Sequence, residues 1–282
     1  MARTIASKKK KRKKRRNNVN DNLTFWDHLE ELRGSIIRSV IATVICGIIV
    51  FLFKDTLFNI ILAPQGNTFV TYRILERLAN VFGVEQAEVL SPLTVRLINT
   101  GLAQQFLIHV KTSLGVGLLL SSPYILYLVC RFISPALYKH ERRFAWQLIG
   151  WGYVMFLLGV MLGYFLIFPL TFRFLGTYQI SHLVENTVTI ESYIDTLIMM
   201  SLSMGVIFEI PILCWIMGKM GIISAQMMKH YRRHVIVFLL ILAAIITPTS
   251  DVFTLLLVSM PMWILYEASI HIVKRVNRDT ER

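Results

Sequence analysis

The sequence predicts an all-α polytopic membrane protein, a bundle of six transmembrane helices. Three observations carry that prediction. Of 282 residues, 55% are hydrophobic. The apolar residues are gathered into long uncharged runs; residues 144–172 form 29 positions without a charge, and 112–130 form 19. About 20 helical residues at ~1.5 Å each match the ~30 Å hydrocarbon core of a bilayer. Several such runs in one chain cannot all be packed as the core of a soluble domain.

Along the chain, the first element is a polybasic tail. The net charge is +13, but residues 1–16 hold ten Lys or Arg and no acid, so the remainder nets only about +3. Polar NNVNDN follows, and the first apolar run begins only near Gly34, with no small-residue cleavage site after it. Residues 1–24 are therefore expected to be a retained, disordered tail rather than a signal peptide. It has two readings, contact with anionic lipid or a solvated topology anchor.

Six spans follow at about 34–54, 105–130, 144–172, 192–218, 233–248 and 252–273, in a membrane domain over 25–275. A short tail, 276–282, closes the chain. With the N-terminus inside, Lys and Arg crowd the segments on the cytoplasmic side. The outside segments carry only Arg73, Arg77, Arg96 and Arg173. That asymmetry obeys the positive-inside rule and predicts both termini in the cytoplasm. The outside segment 55–102 contains helical spacing at Ile74, Leu75, Leu78, Val81 and Phe82, the pattern of an amphipathic cap helix over the bundle. The last two spans look short. The apolar part of the fifth is 235–246, and the sixth carries Pro261 and Glu267. A short span must thin the bilayer, snorkel its flanks or associate with another helix.

The chain lacks a Walker loop, GxSxG and HExxH, its seven histidines form no ligand pair, and Cys46, Cys130 and Cys214 suggest neither metal nor disulfide. No enzyme, cofactor or metal is expected. The informative residues are acids in costly places. Glu209, in GVIFEIPIL, lies deep in the fourth span, where an ionisable group costs a few kcal/mol on insertion scales. Pro211 beyond it removes a helix hydrogen bond, so acid and kink together predict a polar notch; a protonated Glu bonded to a neighbouring helix is the plainer alternative. Glu31 and Glu141 sit among basic residues beside Arg33 and Arg142. They read either as local charge pairs or as a carboxylate site for a cationic peptide, because Arg favours bidentate carboxylate partners.

At these residues the sequence resembles a known family. HLEELR (28–33), FISPALYKHERR (132–143), FEIP (208–211) and TPTSDVF (247–253) are similar to the motifs of TatC proteins, across roughly residues 25–275. The resemblance implies a cupped six-helix bundle in the bacterial inner membrane, with both termini cytoplasmic and the last two helices short. It implies a core subunit of the twin-arginine translocase, exporting folded proteins with proton-motive force. Its expected partners are twin-arginine signal peptides, small single-span subunits of the TatA/TatB type, and further copies in an oligomer. Carried over by motif, Glu31, Arg33, Phe132 and Glu141 match the signal-peptide site. Glu209, Thr247 and Asp251 match partner-helix contacts, and Pro64, Pro135 and Pro211 structural prolines. Two departures stand out: the turn reads TPTSD with one residue more than the usual TPPD, and Leu255 stands where a Gln is common. A secondary transporter for a small solute is the alternative, but it predicts internal repeats and helices broken at the midplane. A membrane scaffold, a third class, predicts no affinity for a twin-arginine peptide.

Overall fold

A computed structural model describes residues 25–66, 68–81, 95–133, 145–178, 186–247 and 251–280. The expected tail over 1–24 lies outside them. Helix α1 is Phe25–Leu52, α2 Lys54–Leu62 and α3 Val70–Val81. Strand β1, Arg96–Ile98, leads to α4, Gln104–Ile133. Then come α5 (Ala145–Leu162), a π turn (Gly163–Ile167), α6 (Phe168–Thr177) and β2 (Thr187–Thr189). The chain ends with α7 (Ile190–Ile207), α8 (Ile210–Lys219), α9 (Ala225–His230), α10 (Arg232–Ile246) and α11 (Val252–Thr280).

Among the described residues, five stretches are long and apolar enough to cross a bilayer: Leu29–Leu52, Gln104–Phe132, Leu148–Thr177, Ile190–Lys219 and Val252–Asn277. The remaining expected span, the fifth, corresponds to α10, whose 15 residues reach only about 22 Å. One half of the expectation about short final helices needs correcting. The last helix has 29 residues and passes through Pro261 without ending. It also absorbs residues 276–280, which were expected in a tail. Helix packing explains this: Val273 and Val276 are buried, so the bundle holds the helix together past its apolar segment.

Helix α7 is the centre of the core. Tyr193, Ile194, Leu197, Met200 and Met204 are all nearly inaccessible, and Phe168 and Val258 pack into the same cluster. Helix α1 is peripheral, with Ile37, Val40, Ile41, Val44 and Ile48 exposed as a lipid-facing surface would be. Prolines inside the spans free carbonyls that other groups then use. Pro123 has no N–H for Leu119 O, which accepts instead from Ser122 Oγ at 2.7 Å. Pro169 likewise frees Phe165 O, and the hydroxyl of Thr71 in α3 donates to it.

That last bond helps seat the cap helix. Tyr72 Oη lies 3.1 Å from Pro64 O and 3.2 Å from Pro169 O, and the Arg173 guanidinium sits 4.9 Å above its ring. The buried face of α3 is therefore Thr71 and Tyr72, with Phe69 buried just before the helix, while Ile74 and Val81 are exposed. Helical spacing alone had assigned Ile74 and Val81 to the packed face. The phenol hydrogen bonds and the Thr71 bond fix a different rotation. Burial pushes the Tyr72 phenol up to about 12, the nearby Arg173 charge acting the other way. Strands β1 and β2 pair in parallel, Arg96 against Thr187 and Ile98 against Thr189, and join the two loops that precede α4 and α7. Below them Gln104 Nε2 donates to Glu191 Oε2 at 2.6 Å, and Lys111 pairs with Asp195 at 2.6 Å. We call this the cap end, and the opposite one the basic end.

Candidate functional site

At the basic end, the geometry is set by how α1 meets α4. A Cβ on Gly117 would lie 2.6 Å from Gly47 N and 2.9 Å from Thr43 O, so the two backbones touch there. One turn further, Thr43 Oγ1 and Ser121 Oγ are 3.0 Å apart. Toward the cap end, Phe51 stacks on His109 with centroids 4.0 Å apart. The numbers fall along α1 as they rise along α4, so the pair is antiparallel. Continuing the register of the Gly47–Gly117 and Thr43–Ser121 contacts brings Glu31 level with Ile133 and Arg33 level with Arg131. Glu31, Arg33 and Phe132 therefore reach the same end of one helix pair. Glu31 and Phe132 are half-buried and Arg33 is exposed. Glu141 and Pro135 lie outside the described residues.

Glu209 sits at a break rather than inside a helix. Helix α7 ends at Ile207 and α8 restarts at Ile210, with Pro211 in its first turn. A proline near a helix start is cheap, because its missing N–H would have no partner there anyway. Glu209 is about 15 Å along the helix from Lys219, near the middle of a bilayer. The carboxylate is lodged where α5 has no side chain: a Cβ on Gly152 would lie 3.3 Å from Glu209 Oε2. Glu209 Oε1 is buried and has no hydrogen-bond partner among the described residues. An unpartnered buried carboxyl oxygen carries an unmet hydrogen bond, which is costly to leave unmade.

Gly152 is one of three glycines along this seam. A Cβ on Gly159 would meet Met204 O at 2.4 Å, and one on Gly163 would meet Ser201 Cα at 2.7 Å. Small residues let α5 approach α7 closely, as is usual where lipid supplies no hydrophobic drive between helices. The sequence reading passed over this row. Its signal was present as glycines at 152, 159 and 163 within one apolar run.

Thr247 and Asp251 are at the cap end, away from Glu209. Thr247 is buried and donates to Ala243 O at 3.0 Å, closing α10. Asp251 Oδ2 accepts from Thr254 N at 2.6 Å, so the acid N-caps α11. Phe253, two residues on, stacks on Phe174 of α6 at 4.3 Å. Pro64 is buried in a short 3-10 turn, where its carbonyl receives the Tyr72 hydroxyl. Arg232 of α10 pairs with Glu267 of α11 and ties the hairpin together at the basic end. Among the described residues, no three His, Cys, Asp or Glu side chains are grouped to hold a metal ion.

A family model described as "Sec-independent protein translocase protein (TatC)" matches residues 27–261. A protein of that name from Blattabacterium sp. subsp. Periplaneta americana is 37% identical over 257 residues, covering 90% of this chain and 96% of that one. Another, from Aquifex aeolicus, is 32% identical, covering 89% and 95%. A solved structure titled "Crystal Structure of Twin Arginine Translocase Receptor- TatC" superimposes with a TM-score of 0.71 at 32% identity, covering 88% of this chain and 99% of that one.

Proposed function

We propose, on the premise that the chain belongs to the TatC family of Sec-independent protein translocase proteins, that its basic end is the receptor surface for twin-arginine signal peptides. The chain is a multi-pass protein of the bacterial inner membrane and a core subunit of the twin-arginine translocase. That role is transport, carried out with other Tat subunits, and the small-solute transporter alternative is not favoured. The observation that carries the receptor reading is the antiparallel register of α1 and α4. It carries Glu31, Arg33 and Phe132 to one end of one helix pair.

In this reading the basic end faces the cytoplasm. Glu31 and Glu141 accept bidentate hydrogen bonds from two guanidinium groups, which a pair of ammonium groups cannot reproduce. Reduced water content near the headgroups strengthens the attraction. Phe132 packs beside the charges against the peptide. Glu209 receives a polar side chain from a TatA/TatB-type single-span helix; its open Oε1 and the small Gly152 surface support that role. Thr247 and Asp251 mark a second stretch of partner contact at the cap end. Proton-motive force drives export, further copies assemble with this one, and the basic tail rests on anionic lipid.

The test is photocrosslinking to a twin-arginine signal peptide, with a twin-lysine peptide as control. Glu31→Ala and Glu141→Ala should each weaken crosslinking about ten- to hundredfold, the worth of one charge-assisted hydrogen bond. Protein abundance and partner assembly should stay unchanged. Wild-type crosslinking by both variants would place the receptor surface elsewhere.

A further inference from the structure

Helices α5, α8 and α11 enclose an apolar cleft of about 340 Å³ that the signal-peptide and partner readings leave unused. On α5 it is lined by Leu148, Trp151 and Met155, which share one face at helical spacing. Ile212 and Trp215 line it from α8, and Ile272 from α11. The Glu209 carboxylate is not among the lining groups. The cleft is large enough for a flexible hydrocarbon chain.

Among the described residues, two cations stand at its basic end. Continuing the stripe Ile212, Trp215 by one turn reaches Lys219, and Lys219 Nζ lies 5.0 Å above the Trp215 ring. Continuing from Ile272 by three residues reaches Arg275, which is exposed. Both cations are at one height, because Gly218 and Val273 beside them are in contact: a Cβ on Gly218 would lie 3.2 Å from Val273 Cγ1. An apolar slot, tryptophans near its mouth and two cations at the rim form a gradient from hydrocarbon to headgroup.

We propose that this cleft is a specific site for one anionic membrane phospholipid. An acyl chain lies along Met155 and Ile212, and the phosphate headgroup sits at Lys219 and Arg275. The charge complementarity is with a monoanionic headgroup; a zwitterionic lipid offers the same chain without the net charge.

The full-length protein in phosphatidylcholine nanodiscs provides the test. Phosphatidylglycerol or phosphatidylcholine with brominated acyl chains is added, and quenching of tryptophan fluorescence is followed. Brominated phosphatidylglycerol should half-quench the sensitive fraction at a mole fraction roughly five- to thirtyfold lower than brominated phosphatidylcholine, from about fivefold per cation. The lipid-selective quenching should vanish in Trp151→Phe/Trp215→Phe. The preference should fall severalfold in Arg275→Gln, at an exposed position, and disappear in Lys219→Gln/Arg275→Gln. Lys219→Arg/Arg275→Lys should retain it. Equal quenching by the two lipids, or a preference that survives the double Gln variant, overturns the proposal. So does displacement of both lipids alike by an added single-span helix, which would make the cleft a helix groove. The signal-peptide crosslinking assay is independent of these outcomes.

Discussion

Gly117→Ala is the sharpest test of how the basic end is built. The new Cβ would lie 2.6 Å from Gly47 N, 2.7 Å from Gly47 Cα and 2.9 Å from Thr43 O, all backbone atoms. Ordinary non-bonded contact between heavy atoms is about 3.5–4.0 Å, so α1 and α4 must move apart by about 1 Å. At that separation the 3.0 Å Thr43–Ser121 contact is no longer a hydrogen bond. Overpacking costs about 1–3 kcal/mol, offset by up to ~1 kcal/mol of helix propensity gained on losing a glycine. A net loss of about 1–2 kcal/mol is expected, read as a lower midpoint in detergent-titrated unfolding followed by circular dichroism. Two controls fix the cause. A Cβ on Gly34 meets nothing within 4 Å, so Gly34→Ala should be neutral or stabilising. A Cβ on Gly47 meets the movable tip of Leu114 at 3.1 Å first, so Gly47→Ala should cost less than Gly117→Ala. Disulfide formation in Thr43→Cys/Ser121→Cys should slow when Gly117→Ala is added, and twin-arginine crosslinking should weaken with it. If Gly117→Ala keeps wild-type stability and crosslinks as fast, the close approach does not set the register, and the argument placing Glu31 beside Phe132 fails.

The remaining predictions concern the cap and the intramembrane acid. Tyr72→Phe should loosen α3, seen as faster backbone hydrogen exchange over Val70–Val81, because the phenol's hydrogen bonds to Pro64 and Pro169 are lost. The pH dependence follows from the same group. The folded phenol is pushed up to about 12 against a usual value of 10, so its contribution is complete below pH 10 and fades as pH rises from about 10 to about 12. Tyr72→Phe should remove that component of alkaline loosening. Thr71→Val leaves Phe165 O without its donor, and should destabilise the cap by roughly 1–3 kcal/mol in the same exchange assay. Glu209→Gln should keep co-purification with the single-span partner, since an amide still hydrogen-bonds, whereas Glu209→Leu should weaken it. Loss of transport in the Gln variant with full partner binding would point to protonation of this acid rather than docking.

How much could be read from the chain alone differs from element to element. Uninterrupted apolar runs report their own length, and length against bilayer thickness is a local property. That is why four of the five long spans were visible as such, and why the brevity of α10 was too. Motif spacing made the family recognisable for the same reason: HLEELR and SPALYKHERR are contiguous. The cap helix was visible as a helix, but not its rotation. Its buried face depends on carbonyls of Pro64 and Pro169, the latter 97 residues away. Pro261 suggested an interruption in the last span, yet the helix continues, with Val258 and Met262 buried on its packed face before and after the proline. The pairing of β1 with β2 joins segments about ninety residues apart, each only three residues long, too short to announce itself. For the candidate site, the sequence identified which acids were unusual by their chemistry and their position relative to the membrane. Only the tertiary structure decided their surroundings. Gly47 against Gly117 sets the register that brings Glu31 and Phe132 to one end of the helix pair, and Gly152 provides the space beside the Glu209 carboxylate. Those are contacts between surfaces of different helices, which depend on which faces the packed bundle turns toward each other.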